Sequence, residues 1–243
     1  MIQLVHLYKN FGKMTAVNDV HLHVQPGEVF GFIGPNGAGK TTTIKMMAGL
    51  LSPTQGSVLI DGIDMAKNPV QAKLKIGLIP DRPFLYEKLT AMEFLRFTAD
   101  LFHVEKRIFT DKAHDLLSRF SLADRADELI EAYSHGMKQR LIMCAALLHE
   151  PRVIIVDEPM VGLDPRGIKM VRQMFRTLAE NGTTVFMSTH TLQLAEEVCD
   201  RIAIIHRGRL MVIGTLHYLQ QHIQDGDADL ERVFFEITQE EHD

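Results

Sequence analysis

Eight consecutive residues carry the strongest chemical signal in this chain. Gly34-Pro35-Asn36-Gly37-Ala38-Gly39-Lys40-Thr41 satisfies the pattern G-x-x-x-x-G-K-[ST] in full. Glycines let a backbone wrap an anion, so that successive N–H groups and the N-terminus of the following helix point at phosphate oxygens. Lys40 then supplies a point charge for the terminal phosphates, and the Thr41 hydroxyl a ligand for Mg²⁺. A chance glycine turn would lack the context found here, an apolar run before the loop and helix-forming residues after it. Phosphate binding alone does not choose among kinases, GTPases, motor proteins and transport ATPases.

Further along, Val153-Ile154-Ile155-Val156 runs into Asp157-Glu158-Pro159. A strand that delivers Asp157 to the edge of a nucleotide site gives Mg²⁺ a partner. Glu158, one residue on, is then placed to polarise an attacking water as general base. In isolation these residues would read as a strand ending in a solvated acidic turn. Beside a complete phosphate loop the catalytic reading prevails.

Such residues need a scaffold that brings 34–41 and 157–158 together, and the hydrophobic pattern supplies one. Residues 2–7 are largely apolar, and Val20, Leu22 and Val24 alternate with His21 and His23 as in a half-buried strand. After the Pro26-Gly27 turn, residues 29–33 form the continuous apolar run of a strand buried on both faces. Residues 41–50 read as a helix stopped by Gly49 and Pro53, and 57–60 and 76–79 as strands. From 83 to 150 the texture is helical. Thr90-x-x-Glu93 is a capping box, Phe94, Leu95, Phe97 and Leu101 recur at helical spacing, and further helices follow around Leu116, Leu117 and Phe120 and over 141–148. After Pro151 strand and helix alternate again. Strands over 153–156 and 184–187 flank a helix started by Asp164-Pro165, a helix over 192–198 comes next, and strands over 202–205 and 210–213 close around Arg207-Gly208. Residues 225–229 form an acidic loop before a short amphipathic helix over 230–237. The pattern predicts an α/β fold in which residues 1–82 and 151–223 make a nucleotide-binding core, 83–150 an inserted helical subdomain, and 224–243 a short C-terminal element.

The 243 residues carry 26 basic and 31 acidic side chains, a net charge of −5, with 46% hydrophobic and 23% charged residues. That is ordinary for a soluble globular chain and excludes disordered, collagen-like and disulfide-stapled classes. The acidic excess argues against dedicated nucleic-acid binding, which leaves a basic footprint. Cys144 and Cys199, among apolar neighbours, read as reduced, buried thiols. No apolar stretch approaches the roughly eighteen residues of a membrane-spanning helix, and the first residues lack the marks of a signal peptide. The expectation is a cytoplasmic protein. Twelve histidines, His21 and His23 sharing a strand face among them, show no zinc-site spacing, and Met46 and Met47 read as core filler.

Several ordered motifs then give a family resemblance. Tyr133-Ser134-His135-Gly136-Met137-Lys138-Gln139-Arg140 looks like the signature of ABC transporter ATP-binding subunits, and Ser134 lies 23 residues before Asp157, a spacing typical of that family. Met160-Val161-Gly162-Leu163-Asp164 occupies the D-loop position and Ser188-Thr189-His190 the H-loop position. Phe11 stands where an aromatic residue stacks on adenine. The resemblance runs nearly end to end. It implies a P-loop NTPase (RecA-like) core with an N-terminal antiparallel β region and an inserted α-helical subdomain, using ATP and Mg²⁺. Carried over residue by residue, it puts Phe11 on the base and Gly34, Pro35, Asn36, Gly37, Ala38, Gly39, Lys40, Thr41 and Thr42 around the phosphates. Thr41 and Asp157 would serve Mg²⁺, Glu158 the hydrolytic water and His190 the γ-phosphate. By itself, His190 would read as a structural cap. Ser134 and Gly136 would bind the γ-phosphate held by a second copy of the chain, or by a homologous ATPase subunit, in a head-to-tail dimer. An integral membrane permease is the other implied partner, holding the protein on the cytoplasmic face of the cell membrane. The run Leu230-Glu231-Arg232-Val233-Phe234-Phe235-Glu236-Ile237-Thr238 resembles a C-terminal element of drug, sodium and lipid exporters, which tilts the reading towards an ABC-2 type exporter.

Two positions depart from the family pattern. Asp81 stands in the loop joining core and lobe where glutamine is usual, and is expected to sense the γ-phosphate through Mg²⁺. His135 replaces the commonest glycine of the signature. Phe84, Leu85 and Tyr86 form an apolar cluster that either receives a helix of the permease or seals the lobe's own core. Other single-chain readings fit less well. A ribosome-associated relative would carry two cassettes, and a chromosome-maintenance ATPase would hold a long coiled coil between Lys40 and Ser134, which are only 94 residues apart. An iron–sulfur assembly ATPase has the same single-cassette form and stands as the alternative.

Overall fold

Alternating apolar and polar residues suit strands with one wet face, and unbroken apolar runs suit strands covered on both. The computed structural model, which describes residues 1–82, 84–160, 163–221 and 230–239, contains one sheet of each kind. Strands β1 (Ile2–Phe11), β2 (Met14–Val24), β4 (Gln55–Ile60) and β5 (Ile63–Asp64) form an antiparallel sheet in the order β2-β1-β4-β5. Strands β3 (Val29–Ile33), β6 (Ile76–Ile79), β7 (Val153–Asp157), β8 (Thr184–Thr189), β9 (Arg201–His206) and β10 (Arg209–Gly214) form the second, in the order β10-β9-β3-β8-β7-β6. Only β10 runs antiparallel there, and β3, β7 and β8 are buried along their whole length. The architecture is the P-loop α/β fold expected from the resemblance.

Helix α1 (Lys40–Met47) fills the space between the two sheets. Its Ile44, Met46 and Met47 share one core with Leu4, Val20 and Val58 on one side and Phe32, Phe186 and Ala203 on the other. Both methionines are the core filler expected of them. The opposite face of the large sheet carries a second core. It packs against α6 (Pro165–Glu180), α7 (Leu192–Val198) and the helical lobe of α3 (Ala91–Leu101), α4 (Lys106–Arg119) and α5 (His135–Leu147). Helix α2 (Pro69–Lys73), α8 (Leu216–Gln221) and β5 are too short to show a period, which is why the sequence pattern passes over them. Strands β1 and β2 outrun their apolar centres because pairing continues to the Gly12 hairpin, through bulges where His6 and Asp19 adopt positive φ.

Helices α3 and α6 start at the caps expected of them, whereas α5, expected over 141–148, already starts at His135. Thr90 Oγ1 accepts from Glu93 N at 3.2 Å while Glu93 Oε2 accepts from Thr90 N at 2.8 Å, a complete capping box on α3. Asp164 Oδ1 accepts from Gly167 N at 2.9 Å, with Pro165 first in α6. Helix α9 (Leu230–Gln239) docks on α7 through Leu230 N, which donates to Glu196 Oε1 at 2.8 Å. The acidic loop at 225–229 and D-loop residues Val161 and Gly162 lie outside the described residues. Cys144 and Cys199 are unpaired and buried, and burial pushes both thiols up. No helix among the described residues is long and apolar enough to cross a membrane.

Candidate nucleotide site

At the C-terminal end of β3 the chain turns through the glycine-rich loop into α1. A Cβ on Gly34 would lie 2.4 Å from the Ile205 carbonyl oxygen, and one on Gly39, at φ 110°, 2.6 Å from that of Ala16. Side chains are excluded at both places, so the loop can only take this tight path with glycine. Lys40 is buried beneath it. Its Nζ donates to the carbonyls of Gly34 at 2.7 Å and Pro35 at 3.2 Å, and lies 4.0 Å from Glu158 Oε1. Burial pushes this ammonium below the ordinary lysine pKa, with Glu158 and Asp157 pulling the other way.

Two adjacent strands deliver the acidic side. The parallel register sets Asp157, at the end of β7, against Ser188 on β8. Asp157 Oδ2 accepts from Thr41 Oγ1 at 2.9 Å and Oδ1 from Ser188 Oγ at 2.5 Å. Glu158 follows with φ 52°, a left-handed conformation that costs a non-glycine residue about 1 kcal/mol or more. Its N–H donates to the Ser188 carbonyl at 3.1 Å, holding the turn. The turn carries the Glu158 carboxylate back to His190, whose Nδ1 lies 2.9 Å from Oε2.

A cavity of about 410 Å³ is lined by Lys40, Thr41, Asp157 and Glu158, whereas His190 stands outside its lining. Asn36, Gly37, Gly39 and Thr42 of the loop, Asp81, and Phe11 with Met14 and Ala16 complete the lining. The Phe11 ring is half-exposed there, with Lys9 Nζ 5.2 Å from its centroid. The expected loop residues Gly34, Pro35 and Ala38 are not on the walls. The first two hold Lys40 by their carbonyls, and Ala38 is buried. Ser134 and Gly136 are also absent from the cavity. Ser134 caps α5, accepting from Met137 N at 3.3 Å, and stands exposed on the surface of the lobe. Sequence reasoning left Ser188, Met14 and Ala16 without a role. The bond from Ser188 depends on strand register, and the other two carry no polar group to mark them.

The donor set answers which ion would fit. Thr41 and Asp157 offer adjacent hard oxygens, and Asp81 lines the same cavity. Among the described residues no three His, Cys, Asp or Glu side chains group as a metal cage. Two or three oxygen ligands suit Mg²⁺ arriving with a nucleotide's phosphates better than a self-sufficient protein site.

A second cavity, about 330 Å³, opens between core and lobe. Its walls are apolar, with Phe94, Phe97, Leu101, Phe102 and Ile142 prominent, and His149 and Lys73 among its few polar residues. Beside it the Phe84–Tyr86 cluster divides. Leu85 is buried in the lobe, whereas Phe84 (78% exposed) and Tyr86 (48%) face out. Tyr86 stands edge-on to Phe84 at 5.8 Å and to Phe97 at 5.4 Å, so aromatic surface continues from the groove to the segment carrying Asp81.

The family model described as ABC transporter matches residues 17–161. Linearmycin resistance ATP-binding protein LnrL of Bacillus subtilis is 39% identical over 88% of this chain and 69% of its own length. ABC-type transporter ATP-binding protein EcsA of the same organism is 34% identical over 99% and 98% respectively. Among solved structures, an ATP-binding subunit of an ABC transporter superposes with a TM-score of 0.93 at 33% identity, over 98% of this chain and 99% of that one. A dimeric ATP-binding cassette in a post-hydrolysis state with ADP and Pi superposes with a TM-score of 0.82 at 26% identity, over 89% and 99%. Loop, carboxylates, fold and relatives converge: this chain belongs to the ABC transporter family, as an ATP-binding and ATP-hydrolysing subunit.

Proposed function

We propose that the chain hydrolyses Mg-ATP within a head-to-tail pair of subunits and so drives a separately encoded membrane permease, as the motor of an exporter on the cytoplasmic face of the membrane. The observation that carries this reading is the grouping of Lys40, Asp157 and Glu158 on one cavity at the end of β3, with His190 against Glu158. Phe11 stacks on the base, and the main chain of Asn36 to Thr42, with Lys40, holds the phosphates. Thr41 and Asp157, with Asp81, hold Mg²⁺, which when bound neutralises charge on the phosphoryl oxygens. Glu158 takes the proton of the water that attacks the γ-phosphorus, and the bond to the ADP oxygen breaks. His190, whose Nδ1 lies 2.9 Å from Glu158 Oε2, is steadied by that carboxylate and presents its ring to the γ-phosphate.

Ser134 and Gly136 act from the second subunit. The N-terminus of α5 offers free N–H groups and the positive end of its dipole to the partner's γ-phosphate. The core–lobe groove takes an amphipathic cytoplasmic helix of the permease, with Phe84 and Tyr86 on its rim. Pressure there reaches Asp81 within three residues of Phe84. An exporter is favoured by relatives named for linearmycin resistance and bacitracin transport.

Glu158→Gln tests the chemistry. ATP binding should persist while turnover falls by about 10²–10⁴-fold. Unchanged turnover would overturn the assignment. Co-purification with a polytopic membrane protein supports the transport reading, whereas a soluble iron–sulfur scaffold as the sole partner would replace it.

A further inference from the structure

Ser188 is fully buried near the end of β8 and touches neither cavity, yet its hydroxyl and its carbonyl are committed to the last residue of β7 and the one after it. The hydroxyl donates to Asp157 Oδ1 at 2.5 Å, and the carbonyl accepts the Glu158 N–H at 3.1 Å. Asp157 itself is only 5% exposed. With Oδ1 held by Ser188, Oδ2 stays on Thr41 Oγ1 at 2.9 Å, on the cavity side. Water has little access to stand in for a missing donor at Oδ1. The carboxylate torsion is broad and soft, so an unpaired, buried Oδ1 would turn the group to find a partner and carry Oδ2 away from Thr41.

We infer that Ser188 is a positioning residue for the metal: its hydroxyl fixes the plane of the Asp157 carboxylate so that one oxygen remains beside Thr41. This rests on the reading of Thr41 and Asp157 as Mg²⁺ holders. The two hydrogen bonds of Ser188 have separable effects. The side chain acts on Asp157, whereas the carbonyl, which any residue at 188 retains, acts on the left-handed turn at Glu158. Removing the hydroxyl therefore disturbs metal binding and leaves the Glu158 turn in place.

The test uses the full chain with ADP and Mn²⁺ as a paramagnetic stand-in, reading bound metal from the loss of the free Mn²⁺ resonance signal. Ser188→Ala should raise the Mn²⁺ concentration at half-saturation by about 10–100-fold. ADP binding in EDTA should stay within about twofold, which also shows that the variant folds. Ser188→Thr restores the hydroxyl and should recover metal binding, and Ser188→Cys, close in volume but a weaker donor, should fall between. An unchanged half-saturation in Ser188→Ala overturns the inference while leaving the metal reading intact. Parallel loss of ADP binding in EDTA also overturns it, in favour of a general packing role. Failure of the unsubstituted chain to retain Mn²⁺ with ADP overturns the metal reading itself, and this inference falls with it.

Discussion

Lys40, Glu158 and His190 form one line of contacts, the first two lining the cavity, and each is held by a different device. Lys40 is desolvated and tied to two carbonyls, so a phosphate entering beside it meets a weakly screened charge. Glu158 is aimed by a strained backbone, and His190 by the carboxylate it pairs with. Asp81 reaches the same cavity from the lobe side. Asp81→Ala should lower ATP turnover by about tenfold or more, as loss of a metal-orienting partner does, and should abolish stimulation by the permease. Steady-state hydrolysis with and without the permease measures both, and a variant unchanged in both would remove Asp81 from the machinery. Lys40 and Thr41 were legible at this scale because their motif is local and the spacing is strict. Ser188 was not, since its partner is 31 residues away and only strand register brings them together.

At the scale of elements, the helical lobe depends on its ends. The reciprocal pair Thr90 and Glu93 satisfies two donors at the start of α3. Thr90→Ala should cost about 1 kcal/mol, a fall in Tm of roughly 2–4 °C for a chain of this size. In a double-mutant cycle Glu93→Ala should add less to it than it costs alone, because the two bonds form one motif. Additive losses in thermal unfolding would break that account. The join between α5 and the sheet depends on His149. Its Nε2 donates to the Ile76 carbonyl at 3.0 Å, and its ring stacks on Phe102 at 3.8 Å. Burial, with Lys112 adding and the Ile76 bond opposing, pushes its pKa down to about 4. The unfolded chain takes up a proton there below pH 6.5, which the folded chain refuses until about pH 4. Stability from this group is therefore level above pH 6.5 and falls across that window by about 2–3 kcal/mol. Denaturant midpoints between pH 4.5 and 7 should show a shallower slope in His149→Phe than in the parent chain, and parallel curves would refute the assignment.

For the whole molecule, the groove between core and lobe is where a membrane partner would be felt. Phe97 and Leu101 line it and are 42% and 58% exposed, so changing them leaves both cores alone. Phe97→Ser with Leu101→Ser should leave hydrolysis by the free subunit within about twofold, as surface changes generally do. Capture of the permease in detergent should drop by at least about tenfold, the effect of losing buried apolar anchors. Equal capture would move the docking surface elsewhere. The placement of Ser134, exposed and away from the cavity of its own subunit, carries the companion expectation that one cassette alone is an incomplete catalyst.

The sequence by itself determined the longer strands, the capped helices and the chemistry of the loop. Apolar runs without a wet face force strands β3 and β7 into a covered sheet, caps start α3 and α6, and glycines with Lys40 and Thr41 make a phosphate cradle. Those properties are local, set by period, backbone freedom and donor type. Tertiary structure alone decided which oxygens of Asp157 face which hydroxyl, that Glu158 turns left-handed onto His190, and that Leu85 goes inside while Phe84 and Tyr86 stay out. Each of these depends on register between strands or on packing between lobe and core. Such long-range contacts arise only once non-neighbouring residues share one buried space, and no spacing along the chain encodes them.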